Sequence, residues 1–273
     1  METHSFDLSL IDHLRSKRNR LFFCLRKQIG FTRRGYREFS SSEELFTWHD
    51  SLAPSINNEV TRIIDQYNFS QINGKLNLES WRFAIATLWI FEQFSELKNH
   101  QPLKSILEVG ANDFRRAPAI GAFFPTAQLH GIELDAYRIL HDLHSRADKA
   151  QYFATLAANS TFESADFFQY SSTGLKDLTL AFYPFVSPHP ALAWGLPLEF
   201  GNASAWIESS HRNLRPGGLA FVMHQGKWEE EEFDAALTAN PGKLTLLRRQ
   251  IVECPFYPLP HPPHASLYAR ASS

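Results

Sequence analysis

Three acidic residues stand where short apolar runs end. Glu108 lies just before Gly110 in SILEVG (105–110), Glu133 lies at the end of QLHGIEL (128–134), 23 residues after Gly110, and Asp166 precedes Phe167 in TFESADFF (161–168). A carboxylate in the second position can accept hydrogen bonds from both hydroxyls of a ribose. One in the third can accept from an adenine amino group lying beside the flat face of Phe167. Ligands of doubly wound sheets sit at the carboxyl ends of the strands. One such acid reads as a cap or loop residue, but three at successive strand ends read as a nucleoside-binding set.

Further along, Tyr183-Pro184-Phe185 with Ser187 and His189 follows another apolar run, and His224-Gln225-Gly226 follows the next. Tyr183 reads as a hydrogen-bonding wall or a strand-end aromatic. His189 reads as a general base, since an imidazole titrates near neutrality, or as a loop histidine between prolines. His261 and His264 are separated by two prolines with no third ligand nearby, and Glu229 to Glu232 read as a charged helix start, so no metal is expected.

Strands must position these groups. SILEVG, QLHGIEL, TFESADFF, DLTLAFYPFV (177–186) and LAFVM (219–223) alternate with helical patterns at 118–124, 136–158, 203–214 and 229–238. KLTLLRRQIVEC (243–254) and HASLYAR (264–270) follow as a strand pair joined by a Pro-rich loop, which suggests antiparallel edges. The expectation is an α/β fold, a doubly wound, Rossmann-like, seven-stranded and mostly parallel sheet with one antiparallel strand. Residues 1–100 read as a helical N-terminal region and 101–273 as the sheet domain. In the former, Ser40-Ser41-Ser42-Glu43-Glu44 caps one helix, 58–67 carries an apolar helical face, and Asn73-Gly74 is a turn. Residues 78–97 read as one long helix whose stripe of Trp81, Phe83, Leu88, Trp89, Phe91 and Phe94 fills the core.

Composition narrows the class. The 273 residues are 44% hydrophobic and 21% charged, enough apolar matter for a sizeable core and too little net charge for a polyelectrolyte. The longest apolar run has nine residues, short of a membrane helix, and the N-terminus lacks a secretory pattern, so a soluble cytoplasmic protein is expected. Cys24 and Cys254 are the only cysteines, which excludes a disulfide framework or a cysteine-based zinc site.

ILEVGAND (106–113), GIELD (131–135) and SADFF (164–168), followed by AFYPFV (181–186) and NLRPGGLAFV (213–222), resemble the class I S-adenosylmethionine-dependent methyltransferases. More loosely, the chain looks like bacterial-type members with a helical N-terminal extension. The resemblance runs from Lys104 to Arg270 and implies S-adenosylmethionine as cofactor. It implies Glu108, Gly110, Ala111 and Asn112 under the methionine part, Glu133 on the ribose, and Asp166 with Phe167 on the adenine. Tyr183 and His189 fall where that family handles the methyl acceptor, implied here to be an unidentified small molecule. A nicotinamide-dinucleotide fold competes, but it needs G-x-G-x-x-G, and here those positions read Gly110, Asn112 and Arg115. The methyltransferase glycine motif is itself degenerate, with Asn112 and Phe114 in place of its second and third glycines. Phe114 either points into the packing or narrows the pocket. The second case implies a non-catalytic module of the same fold.

Such a module would recruit RNA or a protein through the N-terminal segment. Nine Lys/Arg and no acid lie between Arg15 and Arg37, leaving 18 bases against 29 acids in the other 250 residues, a net of −11. The segment is interleaved with Leu21, Phe22, Phe23, Leu25, Ile29 and Phe31. It fits RNA phosphates or an anionic membrane surface, or it clamps onto its own acidic chain with its aromatics in the core.

Overall fold

The structure is a computed structural model that describes residues 8–39, 41–100, 102–258 and 262–271, so Ser40 and His261 lie outside the described residues. Strands β1 (Ser105–Val109), β2 (Gln128–Glu133), β3 (Ser160–Ser164), β4 (Lys176–Phe182), β5 (Leu214–His224), β6 (Leu244–Ile251) and β7 (His264–Arg270) form one sheet in the order β3-β2-β1-β4-β5-β7-β6. The first five are parallel, whereas β7 inserts antiparallel between β5 and β6.

The period-2 alternation of the strands divides their side chains between two cores. Ile106, Leu178, Leu180, Phe221 and Leu267 face one layer, while Leu107, Val109, Ala181, Val222 and Tyr268 face the other. The first layer contains α4 (Leu78–Glu92), α5 (Ser95–Asn99), α6 (Ala117–Phe123) and α7 (Arg146–Thr155). The second contains α9 (Ala203–Asn213) and α10 (Lys227–Ala239). Phe91 centres the first, with rings of Phe123, Phe124, Phe182 and Phe221 about it at 5.2–6.1 Å. The short helices α2 (Ser42–Asp50) and α3 (Pro54–Gln66) extend that core outward through Leu45, Trp48, Val60 and Ile63. Ser41 caps α2, accepting from the Glu44 amide at 3.0 Å.

Three expectations need correction. The helix expected over 78–97 breaks after Glu92, where Phe94 leaves helical geometry and seats its ring edge-on against Phe221 at 5.1 Å. The helix expected over 136–158 begins only at Arg146. Residues 136–145 instead make a tight excursion closed by an Ile139–Ser145 bridge, with Leu143 left-handed. Ser145 and Asp148 then form a reciprocal cap, a signal legible as S-x-x-D in the sequence. The loop expected around His189 is a helix, α8 (Pro188–Ala193), opened by its N-terminal proline.

The basic segment forms α1 (Leu10–Ile29), capped reciprocally by Ser9 and Asp12 and ended by left-handed Gly30. Its inward stripe is polar. Asn19 Nδ2 donates to the Leu192 and Leu196 carbonyls, and Ser16 Oγ accepts from the Leu198 amide. Arg26 holds Asp135 with two bonds of 2.8 and 2.9 Å. Of the segment's aromatics Phe23 enters a core, edge-on to Phe200, and Tyr36 packs edge-on to Tyr152 at the margin of the first layer, while Phe22 and Phe31 are exposed. Arg20 pairs with Glu199, so the self-clamping reading holds for Arg20, Arg26 and Phe23 but not for Leu21, Phe22, Leu25, Ile29 and Phe31, which are exposed.

Phe114 resolves the question raised by the degenerate glycine motif. Its ring is fully buried beside Phe162 and lies against Gly131 on β2. A Cβ at Gly131 would stand 2.4 Å from the Phe114 Cε2 atom. Gly131→Ala should therefore cost about 1–3 kcal/mol by overpacking. In Phe114→Ala, where the slot is empty, the same substitution should be nearly silent, and urea unfolding of the four variants measures that coupling.

Candidate functional site

The strand order reverses between β1 and β4, and a crevice opens there at their carboxyl ends. It is a cavity of about 200 Å³. One end is lined by Gly110, Asn112, Glu133, Arg146, Asp166 and Phe167, the other by Arg116, Phe182, Tyr183, Pro184 and Gln225. Trp194, Leu196, Phe200 and Trp206 close it from the α8 side.

The first end is organised by Glu133. Its Oε2 accepts from the Asn112 amide at 2.9 Å, and its Oε1 accepts from the Asp135 amide at 2.9 Å and from Arg146 Nη1 at 3.0 Å. The loop after β1 must curl back to reach that carboxylate. Gly110, Asn112 and Phe114 all take positive φ, at +65°, +56° and +62°. The backbone thus keeps the left-handed alternation of a glycine-rich turn although two of the three residues carry side chains, at a cost of about 1–2 kcal/mol each. Asn tolerates that geometry, and Phe114 is held in it by its buried ring. The space beside Gly110 is open, since a Cβ there would meet nothing within 4 Å.

Asp166 is half-buried, and one oxygen accepts from the Phe168 amide at 2.9 Å. Burial raises its pKa. Phe167 packs on Trp206 at 5.9 Å and lines the cavity beside it.

The second end carries a buried cation. The Arg116 guanidinium lies 4.1 Å from the Phe182 ring centre and 4.6 Å from that of Phe83, and 3.8 Å from Glu108 Oε1. That last distance is too long for a hydrogen bond. Both Glu108 oxygens are buried without a hydrogen-bond partner, and burial pushes this carboxyl up to about 8. Tyr183 sits above in a left-handed conformation, φ +58°, its amide donating to the Met223 carbonyl at 2.7 Å. Burial pushes its phenol up to about 12, so at neutral pH it offers an O–H rather than a phenolate.

The structure therefore brings Gly110, Asn112, Glu133, Asp166, Phe167 and Tyr183 to one cavity. Glu108 and Ala111 lie behind its wall, Glu108 on the opposite face of β1 from Val109, which lines it. His189 is not among the lining residues either; it lies on α8. His224 is buried against Phe233, with both ring nitrogens unpartnered and burial pushing its pKa down to about 3. Its neighbour Gln225 reaches the cavity instead. Sequence reasoning missed Arg116 and Arg146. The first was signalled by Arg115-Arg116 directly after ILEVGAND, the second hidden in a stretch read as continuous helix. Among the described residues no cluster of His, Cys, Asp and Glu is arranged to hold a metal ion, and no helix is long and apolar enough to cross a membrane.

A doubly wound sheet with a nucleoside-type crevice at its switch point is the class these features define. An antiparallel seventh strand between β5 and β6 distinguishes it from the dinucleotide order 3-2-1-4-5-6. It is the fold of the class I S-adenosylmethionine-dependent methyltransferases, the family the sequence motifs resemble. Among solved structures the chain is similar to TrmN from Thermus thermophilus, at 17% identity and a TM-score of 0.49, over 67% of this chain and 48% of that one. It thus spans about half the length of TrmN. It is similar to the N-methyltransferase NodS from Bradyrhizobium japonicum WM9 at 14% identity and a TM-score of 0.45, over 67% of this chain and 97% of that one. A precorrin-6y C5,15-methyltransferase from Geobacter metallireducens GS-15 aligns at 11% identity and a TM-score of 0.44, over 65% and 84% of the two chains. No protein-family model and no curated protein sequence matches the chain.

Glu108 yields a pH prediction. A carboxyl whose folded-state pKa is raised contributes its stability below the ordinary carboxyl range and loses it as pH climbs toward about 8. Between about pH 5 and pH 8 the wild type should lose a few kcal/mol relative to Glu108→Gln. Urea unfolding of both proteins at the two pH values checks this. Parallel pH profiles would mean that the carboxyl is ionised beside Arg116.

Proposed function

We propose that the chain transfers a methyl group from S-adenosylmethionine to an acceptor bearing an anionic group. The observation that supports this most directly is the crevice itself. Glu133, Asp166 and Phe167 stand at three successive strand ends around one cavity, and Phe114 lies outside its walls. A pocket blocked by Phe114 was the premise of a non-catalytic module, and Phe114 packs on Gly131 and away from the lining.

The residues present fit the cofactor. Glu133 Oε2 accepts one protein hydrogen bond and keeps a lone pair for a ribose hydroxyl. Arg146, which shares this carboxylate, carries a buried Nε without a partner, a donor that a bound ligand would satisfy. Asp166 would accept from an adenine amino group, with Phe167 and Trp206 as the apolar wall of the cavity they line. S-adenosylmethionine supplies a methyl group already activated on a sulfonium, so the protein's work is positioning and exclusion of water.

At the far end Tyr183 donates or accepts one hydrogen bond to orient the acceptor. Arg116 presents N–H groups engaged in no hydrogen bond among the described residues, the donor set for a carboxylate or phosphate. Its two flanking rings hold the guanidinium flat. With His189 outside the cavity lining, no imidazole serves as base in this scheme, which suits an acceptor that is nucleophilic without deprotonation.

Calorimetric titration with S-adenosylmethionine and S-adenosylhomocysteine tests the reading. Wild type should bind both, and Glu133→Gln and Asp166→Ala should each weaken binding by about tenfold or more, the loss of a charged hydrogen bond. Arg116→Gln should leave both affinities unchanged if it reads the acceptor, and lower both if it reads the cofactor's own carboxylate. Absence of binding by folded wild type would overturn the proposal.

A further inference from the structure

α1 is amphipathic the wrong way round for a helix on a globular protein. The stripe it turns to the body is Asp12, Ser16, Asn19, Phe23 and Arg26, at spacings of 4, 3, 4 and 3 residues. The stripe it turns outward is Leu10, Ile11, Leu14, Leu21, Leu25 and Ile29, each between 41% and 76% exposed. Phe22 beside them is 51% exposed and Phe31, just past the helix, 40%. Isolated exposed leucines need no explanation, but six aliphatic residues on one face of a 20-residue helix, interrupted on that face by Lys17 and Arg18, do.

The charges around this stripe are of one sign. Arg15, Lys17, Arg18 and Lys27 on the helix and Arg33, Arg34 and Arg37 beyond it are exposed, with no side-chain ion pair among the described residues. Arg18, Phe22, Arg26, Arg138 and Ile139 line a single depression at the stripe's edge. Asp135 takes the charge of both Arg26 and Arg138, so three cations there face one acid.

We infer that the outward face of α1 docks on an anionic lipid bilayer, with the helix lying in the plane of the interface. Aliphatic side chains gain by leaving water for acyl chains, and flanking Lys and Arg reach back to anionic headgroups. The Arg18–Arg26–Arg138 depression suits a headgroup phosphate. RNA fits less well, because six of these eight exposed apolar side chains are aliphatic and only Phe22 and Phe31 offer a ring on which a base can stack. A second copy of this chain fits less well too, since pairing two α1 faces would set two sets of unpaired cations against each other. The segment 192–200, on whose outer side α1 is docked, also supplies Trp194, Leu196 and Phe200 to the cavity wall. A bilayer under α1 would therefore lie beside the crevice.

Sedimentation of the full chain with vesicles tests this. Vesicles of phosphatidylcholine with about 30 mol% phosphatidylglycerol should carry the protein down, and pure phosphatidylcholine at least about tenfold less. Two sets of exposed substitutions, Leu14→Gln/Leu21→Gln/Leu25→Gln and Arg15→Gln/Lys17→Gln/Arg18→Gln, should each reduce partition by about tenfold or more with an unchanged thermal melt. No sedimentation of wild type with anionic vesicles would overturn the inference. So would sedimentation that survives the leucine set while retention on single-stranded RNA is lost with the arginine set. A concentration-dependent dimer abolished by the leucine set, without vesicle binding, would assign the face to self-association instead.

Discussion

The carboxylate of Glu133 is the point on which the site hangs. It stands at the end of β2, nearly buried, and ties together three segments through its two oxygens. The loop after β1 reaches it through the Asn112 amide, the turn after β2 through the Asp135 amide, and the start of α7 through Arg146. Such a carboxylate is costly to bury, and these three donors are what make it tolerable. Two residues on, Asp135 repeats the arrangement outward, holding Arg26 of α1 and Arg138 of the excursion. The two acids form one continuous line of charge from the cavity to the N-terminal helix.

The loop between β1 and α6 shows how a motif can lose its glycines and keep its shape. Its left-handed turns survive at positions 112 and 114 because each substitute has a separate compensation. The Asn112 amide is fixed by Glu133 Oε2, and Asn is mild in this geometry. Phe114 has no such ease, and its backbone strain is offset by burying a whole aromatic side chain. That burial exists only because β2 carries a glycine opposite. The glycine missing from the loop has in effect moved to the neighbouring strand. A one-dimensional motif cannot show this exchange, since the two positions are 17 residues apart in the sequence and meet only through sheet pairing.

Legibility in the sequence followed the physics of each element. The seven strands and their order of succession are visible because buried parallel strands are short, apolar and bounded by turns. The acids at their ends are visible because strand ends are where function is placed in such sheets. What failed was local. Helical periodicity continued across 78–97 and 136–158, but Phe94 is worth more to the core edge-on to Phe221 than in register with α4. At 136–145 the Ile139–Ser145 bridge and the Asp135 ion pairs override propensity. Arg146 was lost with that error, because a residue read as mid-helix was in fact the first of one, aimed at Glu133. Glu108 lies outside the cavity lining for a different reason. Its position at a strand end was right, but period-2 alternation turns it to the face away from Val109, under Arg116 rather than toward the crevice.

The basic segment shows where reading a pattern stops and three dimensions begin. A helix with one polar and one apolar face is normally placed apolar side in, and with its aromatics that is how the segment reads. Placement is decided by what the body offers. The surface formed by residues 192–200 and the turn after β2 presents the Leu196 carbonyl, the Leu198 amide and the buried Asp135 carboxylate, all of which need polar partners. Leaving those groups unpaired would cost about 1–3 kcal/mol each, so a stripe of Ser16, Asn19 and Arg26 outcompetes a stripe of leucines for that surface. Once the polar stripe is docked, helical geometry puts the leucines on the opposite side. Their exposure is thus a consequence of satisfying the body's polar groups.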